Sequence, residues 1–314
     1  MDGYSEKIPL IVIAGATACG KTATAIEVAK QTDGEIISAD SMQIYKGLDI
    51  GTAKPTEEEQ SEVRHHLINI KSPDELYSVA DFVADANGAI DDIISRGKQP
   101  IVCGGTGLYI SSLVSGLTFA EDKTDMVLRK SLFEEYEKNG IKPFLNEITQ
   151  KDPDYAKTLH PNNVKRILRA VERLRSTGLC DEEQNELSQR NPSRLNTFYF
   201  VLAASERESL YKKIETRIDK MIELGLCDEA LRVYNNKDCY KTAAQAIGYK
   251  ELFGYFEGTS TLSECVALLK QATRRYAKRQ ITWFKREKNA EWLYTDILSS
   301  REAAQTIVTR FQNL

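Results

Sequence analysis

The sequence predicts an α/β protein: a parallel sheet of the P-loop NTPase type, flanked by helices, with a helical domain inserted. Three observations carry that prediction. A buried apolar run, "PLIVIA", leads into "GATACGKT" and then into a helical pattern. Further apolar runs at "GEIISAD" and "QPIVCGGTG" alternate with helix-length segments, the spacing that parallel strands with crossover helices require. From about residue 120 the strand signals stop, and they resume near residue 197.

Taken in order, "LIVIAG" reads as the first strand and "KTATAIEVAKQ" as the first helix. "GEIISAD" is the second strand and "HHLINI" a short third. "SVAD" has the form of a capping box, with Ser78 at the cap and Asp81 three residues on. The helix it opens places Phe82, Ala86, Ile90 and Ile93 on one face, and Gly97 ends it. "QPIVCGGTG" is a strand that runs into a glycine turn. "MVLRKSLFEEYEKNG" and "NNVKRILRAVERLRSTG" read as helices of the insertion. "TFYFVLAAS" restores a strand at 197–205. "SERE" is expected to cap a long helix with Ile214, Ile218, Met221 and Ile222 inward and Gly225 at its end. "EWLYTD" is a late strand. The sheet domain is therefore expected from residues 1–120 and 196–314, with 121–195 as the helical insertion.

Bulk properties exclude several classes. The chain has 314 residues, 41% apolar and 28% charged, which describes a globular protein. Its longest apolar run is too short to cross a bilayer, and "MDGYSEKIPL" has no secretory pattern. Six cysteines, at 19, 103, 180, 227, 239 and 265, form no C-x-x-C pair. A reduced, cytoplasmic enzyme without structural zinc is the expectation. The net charge of −4 hides a local asymmetry. Between Lys270 and Lys288 stand eight Lys or Arg and one acid, Glu287, which points to an anionic partner.

The chemistry begins at residues 15–22. Gly15, Ala16, Thr17, Ala18, Cys19, Gly20, Lys21 and Thr22 fit G-x-x-x-x-G-K-[ST]. Such a loop turns backbone N–H groups inward, adds the positive end of a helix, and uses its lysine and hydroxyl on phosphate and Mg²⁺. The loop alone is equally that of an ATP- or other nucleotide-binding protein. Asp40, just past the second strand, is placed at the carboxyl edge of the sheet, where open α/β sheets bind ligands. A carboxylate there serves as a general base or as a structural cap. In "CGGTGLYI", Gly104, Gly105 and Gly107 allow the backbone to approach a ligand, and Thr106 offers a hydroxyl.

In "ATRRYAKRQITWFKR", Lys270, Arg274, Lys278 and Lys285 share a helical stripe, and Arg275, Arg279 and Arg286 the adjoining one. Cations track a phosphate backbone and an aromatic can stack on an unpaired base. At least two of Tyr276, Trp283 and Phe284 are nevertheless expected to pack in the core. A second basic patch holds Lys165, Arg166, Arg169 and Arg173. Adjacent His65 and His66 face opposite ways in a strand and make no metal pair, one packing and one exposed. His160 precedes Pro161 and shapes a turn.

"GATACGKT", "DSMQIYKGLDIGTAKP", "HHLIN", "YSVADF", "CGGTGLYI", "HPNNVKRILRAVE", "QAIGYKE" and "KRQITWFK" occur in this order from about residue 8 to 295. In these motifs the chain resembles bacterial tRNA dimethylallyltransferases. The resemblance implies transfer of a dimethylallyl group from dimethylallyl diphosphate to N6 of adenosine 37, in tRNAs that read codons starting with U. It implies Mg²⁺ as cofactor and the tRNA anticodon stem-loop as partner, and we expect a monomer. Lys21, Thr22 and Arg217 would hold the diphosphate, Asp40 would take the N6 proton, and Thr106 would line the donor and adenine pocket. Contacts with tRNA are implied at Asp40, Ser41, Met42, Gln43, Thr106, Arg129, Lys165, Arg166, Ile167, Leu168 and Arg169. They are implied further at Gln245, Ala246, Ile247, Gly248, Tyr249 and Lys250, and at Lys278, Arg279, Gln280, Ile281, Thr282, Trp283, Phe284 and Lys285.

The chain departs from the family pattern at Ala16, Cys19 and Lys165, and around "TFAEDKT", where the usual proline-rich link is absent. Nor does it carry the zinc-finger extension of eukaryotic relatives. Rival readings are an adenylate isopentenyltransferase, a small-molecule P-loop kinase and an RNA-binding NTPase switch.

Overall fold

The protein is described here from a computed structural model covering residues 7–117, 126–178 and 193–313. Its centre is the strand β1, Ile8–Gly15. Leu10, Ile11, Val12, Ile13 and Ala14 are all fully buried, and burial of each large aliphatic side chain contributes roughly 2 kcal/mol. Successive side chains leave a strand on opposite faces. Ile11 and Ile13 accordingly join one core and Leu10, Val12 and Ala14 a second. A strand with no polar face has to lie inside a sheet covered on both sides.

That sheet has six strands in the order β3-β2-β4-β1-β5-β6. The others are β2 (Gly34–Ser38), β3 (His65–His66), β4 (Gln99–Gly104), β5 (Leu195–Ala203) and β6 (Glu291–Tyr294). All five pairings are parallel. Ala14 pairs with Gly104 and Ser38 with Cys103. The loops after β1, β2 and β4 thus leave the sheet side by side at its carboxyl edge. Because the chain passes from β1 to β2 on one side and reaches β5 on the other, β1 ends at a switch in winding, where α/β sheets open a crevice.

Helices α1 (Lys21–Thr32) and α2 (Glu57–Glu62) follow the first two strands, and α3 (Val79–Ser95) and α4 (Gly107–Val114) flank β4 in sequence. Phe82, Ala86, Ile90 and Ile93 of α3 are fully buried and Ser78 caps it through Asp81, as its spacing predicts. The helical segment holds α5 (Met126–Asn139), α6 (Lys142–Lys151), α7 (Pro153–Thr158) and α8 (Val164–Thr177). It has its own core of Leu132, Phe144, Ile148, Tyr155, Ile167 and Val171. The C-terminal half supplies α9 (Arg207–Glu223), α10 (Leu226–Asn235), the single turn α11 (Phe253–Phe256), α12 (Leu262–Phe284) and α13 (Ser300–Gln312). Two compact units result, one of residues 1–114 and 194–314, the other of residues 115–193.

Several expectations are corrected. "HHLINI" shrinks to two strand residues, because Leu67 and Asn69 adopt left-handed backbone, with φ of 61° and 57°. Ser205 does not cap α9: its N–H and hydroxyl both donate to the Asp296 carboxylate, and Glu206 stands at the cap without a side-chain bond. β5 begins at Leu195, two residues before the predicted start and one before the expected boundary at 196. Neither His65 nor His66 is exposed: both are half-buried, His65 against the Val63 carbonyl and His66 against Glu35. Capping boxes also open α2 (Thr56 with Glu59) and α13 (Ser299 with Glu302). "TFAEDKT", the boundary at 120 and Cys180 lie outside the described residues. Among the described residues no helix is long and apolar enough to cross a membrane.

Candidate active site at the carboxyl edge of the sheet

The loop between β1 and α1 is shaped by backbone conformation. Ala18 and Gly20 take φ of 63° and 74°, and alternation into left-handed backbone turns consecutive N–H groups toward one side. No side chain caps the N-terminus of α1, so its first N–H groups keep their partial positive charge for an anion. Lys21 arches back over the loop and its Nζ donates to the Ala16 carbonyl at 2.7 Å.

Asp40 stands across from this loop, half-buried. Its Oδ1 accepts from the N–H of Met42 at 2.9 Å and of Gln43 at 3.4 Å. Burial pushes its carboxyl above the ordinary range, although those N–H groups and the charges of Lys21 and Arg217 pull the other way. Burial likewise lowers Lys21, which feels Arg217 and Asp40 as well as the thiols of Cys19 and Cys103. Arg217, on α9, is lowered by burial and acts on the same groups. Burial pushes the Cys103 thiol up to about 11. Two cations and a carboxylate thus act on one another, each shifted toward neutrality by lost water, as groups at functional sites commonly are.

Thr106 ties the third loop to the second: its Oγ1 accepts from the Ser41 N–H at 3.1 Å, and its own N–H donates to the Ala39 carbonyl. The glycines at the end of β4 make room for the protein's own groups. A Cβ on Gly104 would sit 2.2 Å from the Ala39 oxygen, one on Gly105 2.3 Å from Gln280 Nε2, and one on Gly107 2.2 Å from the Trp283 ring. The close approach they allow is to the protein itself. Gln280 is the staple. Its Oε1 accepts from the Thr17 N–H and its Nε2 donates to the Gly105 carbonyl, both at 2.9 Å. Tyr276, one turn earlier on α12, lies near Thr106 and Gln280.

The expected RNA-facing residues divide by exposure. Lys278, Arg279 and Thr282 are exposed on α12 and Lys285 just past its end, as are Lys165 and Arg166 on α8 and Gln245 and Lys250. Arg129 and Arg169 both pair with buried Glu172. Gln43 is spent internally, donating to the Thr52 and Ala53 carbonyls and accepting from Ser38. Ser41, Met42, Ile247, Ile281 and Trp283 are half-buried, as is Leu168, which packs in the helical unit. Ile167, Ala246, Tyr249, Gln280 and Phe284 are at most 8% exposed, so their side chains pack inside the protein here. Gly248 has no side chain to offer, and its buried N–H donates to Glu251. Ile167, Gln280 and Phe284 lie on the inner stripe of helices whose outer stripe is charged, a distinction a contiguous motif hides.

Among the described residues no three His, Cys, Asp or Glu side chains are grouped to hold a metal. Magnesium takes few protein ligands and keeps water and phosphate oxygens, and the hydroxyl of Thr22, half-buried on the first turn of α1, is the kind of single ligand it would need.

The family described as IPP transferase matches residues 43–287. A curated tRNA dimethylallyltransferase of Acetivibrio thermocellus is 47% identical over 294 residues, 93% of this chain and 94% of that protein. One of Bacillus subtilis is 43% identical over 290 residues, 92% and 91% of the two chains. Among solved structures, a full-length tRNA isopentenylpyrophosphate transferase from Bacillus halodurans aligns with TM-score 0.71 at 39% identity, covering 98% of both chains. A eukaryotic dimethylallyltransferase solved acting on tRNA aligns with TM-score 0.82 at 29% identity, covering 96% of this chain and 78% of that one. With a family match across most of its length and relatives of this similarity along nearly all of it, the chain belongs to the IPP transferase family.

Proposed function

We propose that the protein transfers a dimethylallyl group from dimethylallyl diphosphate to N6 of an adenosine beside the anticodon of tRNA, in the cytoplasm. The named activity of its relatives supports this reading. The observation that carries it is geometric: the strand register and the hydrogen bonds of Thr106 and Gln280 gather the phosphate loop, the Asp40 loop and the turn after β4 at one edge of the sheet.

The adenine amino group is a weak nucleophile, so the reaction depends on departure of the diphosphate. The allylic C–O bond breaks with its electron pair going to the diphosphate oxygen. The N–H groups of the loop, Lys21 and Arg217 meet that charge as it develops, in surroundings that need not reorganise. The N6 lone pair forms the new C–N bond and its proton passes to Asp40. A raised pKa makes Asp40 a stronger base than a solvated aspartate. Magnesium bound by Thr22 and the diphosphate would supply further charge neutralisation. Cations at Lys278, Arg279 and Lys285 are exposed to follow the RNA backbone, and Lys165 and Arg166 offer a second basic patch. A loop base is also cheaper to extrude than a paired one.

The test supplies Mg²⁺ and labelled dimethylallyl diphosphate with unmodified tRNA and, in parallel, AMP. Label is expected in tRNA alone. Label in AMP would favour the adenylate enzyme, and ATP turnover without transfer would refute the reading.

A further inference from the structure

Glu229 is a carboxylate on the apolar stripe of a helix. Its neighbours on α10, Leu226, Ala230 and Val233, are buried, and it is itself only 2% exposed. A buried charge is retained only where bonds compensate its lost water. Glu229 accepts from the backbone N–H of Asp49 at 2.9 Å, Ile50 at 3.0 Å and Gly51 at 2.8 Å, and from the Tyr249 hydroxyl at 2.8 Å. Three successive N–H groups converging on one anion form a nest, so this stretch of loop is held by a single side chain far away in sequence. The fit is close: a Cβ on Gly51 would lie 2.5 Å from the Tyr249 ring.

The next residues of that loop lead to the site. The carbonyls of Thr52 and Ala53 receive the Gln43 Nε2, at 3.3 and 3.2 Å. The Ser38 hydroxyl donates to the Gln43 Oε1 at 3.0 Å. With its side chain fixed from both ends, Gln43 presents its own N–H, alongside that of Met42, to the Asp40 carboxylate.

We propose that Glu229 is a positioning residue for the transfer reaction: it anchors the 49–53 loop, and through Gln43 it sets the orientation of Asp40. The inference rests on the reading of Asp40 as the proton acceptor. It also explains why "DIGT" and "QAIGYKE", distant in sequence, serve one purpose: Tyr249 shares the carboxylate that holds Gly51.

Glu229→Gln tests it. The amide keeps one acceptor oxygen and turns an NH₂ toward the N–H donors, so the anchor fails without loss of volume. Single-turnover transfer is expected to fall about tenfold or more, since small misplacement of a reacting group is costly. Affinity for tRNA is expected to stay within about twofold and circular dichroism to remain native. The acid limb of the rate profile should move to higher pH, because N–H donors that favour the ionised carboxylate are loosened. The other groups acting on or near Asp40, namely Lys21, Arg217, Cys103, Tyr109 and Tyr276, are unchanged by the substitution. A folded E229Q with wild-type rate and limb overturns the proposal, as does a rate loss matched by equal loss of tRNA affinity. If E229Q does not fold, Gly51→Ala pushes the loop off an intact Glu229 and must show the same signature, and its wild-type behaviour is equally fatal. Asp40→Asn separates the two readings. An inactive D40N with a fully active E229Q removes only the role of Glu229, whereas a fully active D40N removes the base assignment and this inference with it.

Discussion

Glu35 and Asp40 belong to the same strand and turn, one near the start of β2 and the other just past its end. Their environments drive them in opposite directions. Glu35 is 4% exposed and is met by Arg96, His66 and Arg64, so its carboxyl is held down at about 2, chiefly by the Arg96 hydrogen bonds. Asp40 makes bonds to two N–H groups, feels Lys21 and Arg217 without an ion pair to either, and is pushed up by burial. The amino end of the sheet is thus electrostatically satisfied and the carboxyl end is left wanting a partner. Groups that bind a charged substrate have to retain unspent interaction, and groups that only hold the fold do not.

The contrast is most severely tested at Asp40. Asn at this position should reduce transfer by about a thousandfold, within the usual range for losing a general base, while tRNA affinity measured by filter binding changes little. In the unsubstituted enzyme the raised pKa sets the acid limb above the ordinary carboxylate range, so activity falls as pH drops through it. A limb at the ordinary aspartate value would erase the difference between the two ends.

At the other end, Arg96→Leu should cost about 2 kcal/mol of stability by leaving a buried carboxylate short of donors, with no change in transfer rate for the folded enzyme. The folded pKa of Glu35 is depressed from 4.5 to about 2, so its contribution is fully present above about 4.5 and is lost as pH falls toward 2. The stability gap between the two proteins in urea titrations should therefore close over that interval. A gap unchanged in acid would mean that packing, not charge, holds this end. The smallest effect is expected from Lys278→Ala, which should weaken tRNA binding modestly and reduce the slope of log affinity against log salt by about one. An unchanged slope would take Lys278 out of the interface and with it the simplest use of the basic stripe.

Much of this was legible. The continuous burial of β1, the capping box at Ser78 and the glycine at the end of α3 all follow from local spacing, because each is decided by neighbours within a few residues. The phosphate loop was legible for the same reason. Gln280 and Tyr249 were not, since both sit in motifs whose charged members dominate the pattern. Glu229 left a signal that went unread, an acid at the buried position between Leu226 and Val233.

By itself the sequence determined the order of the main strands and of the helices α1, α3 and α9, that β1 is covered on both faces, and that a phosphate loop opens α1. These are short-range consequences of side-chain periodicity and backbone conformation. Only the tertiary structure decided which polar groups are spent and which are left free. Whether Gln280 meets RNA or staples Thr17 to Gly105, and whether Glu229 is a surface acid or the anchor of Gly51, depends on segments that meet across 175 to 263 and 178 residues of chain. Hydrogen bonds at such separations have no local periodicity to announce them.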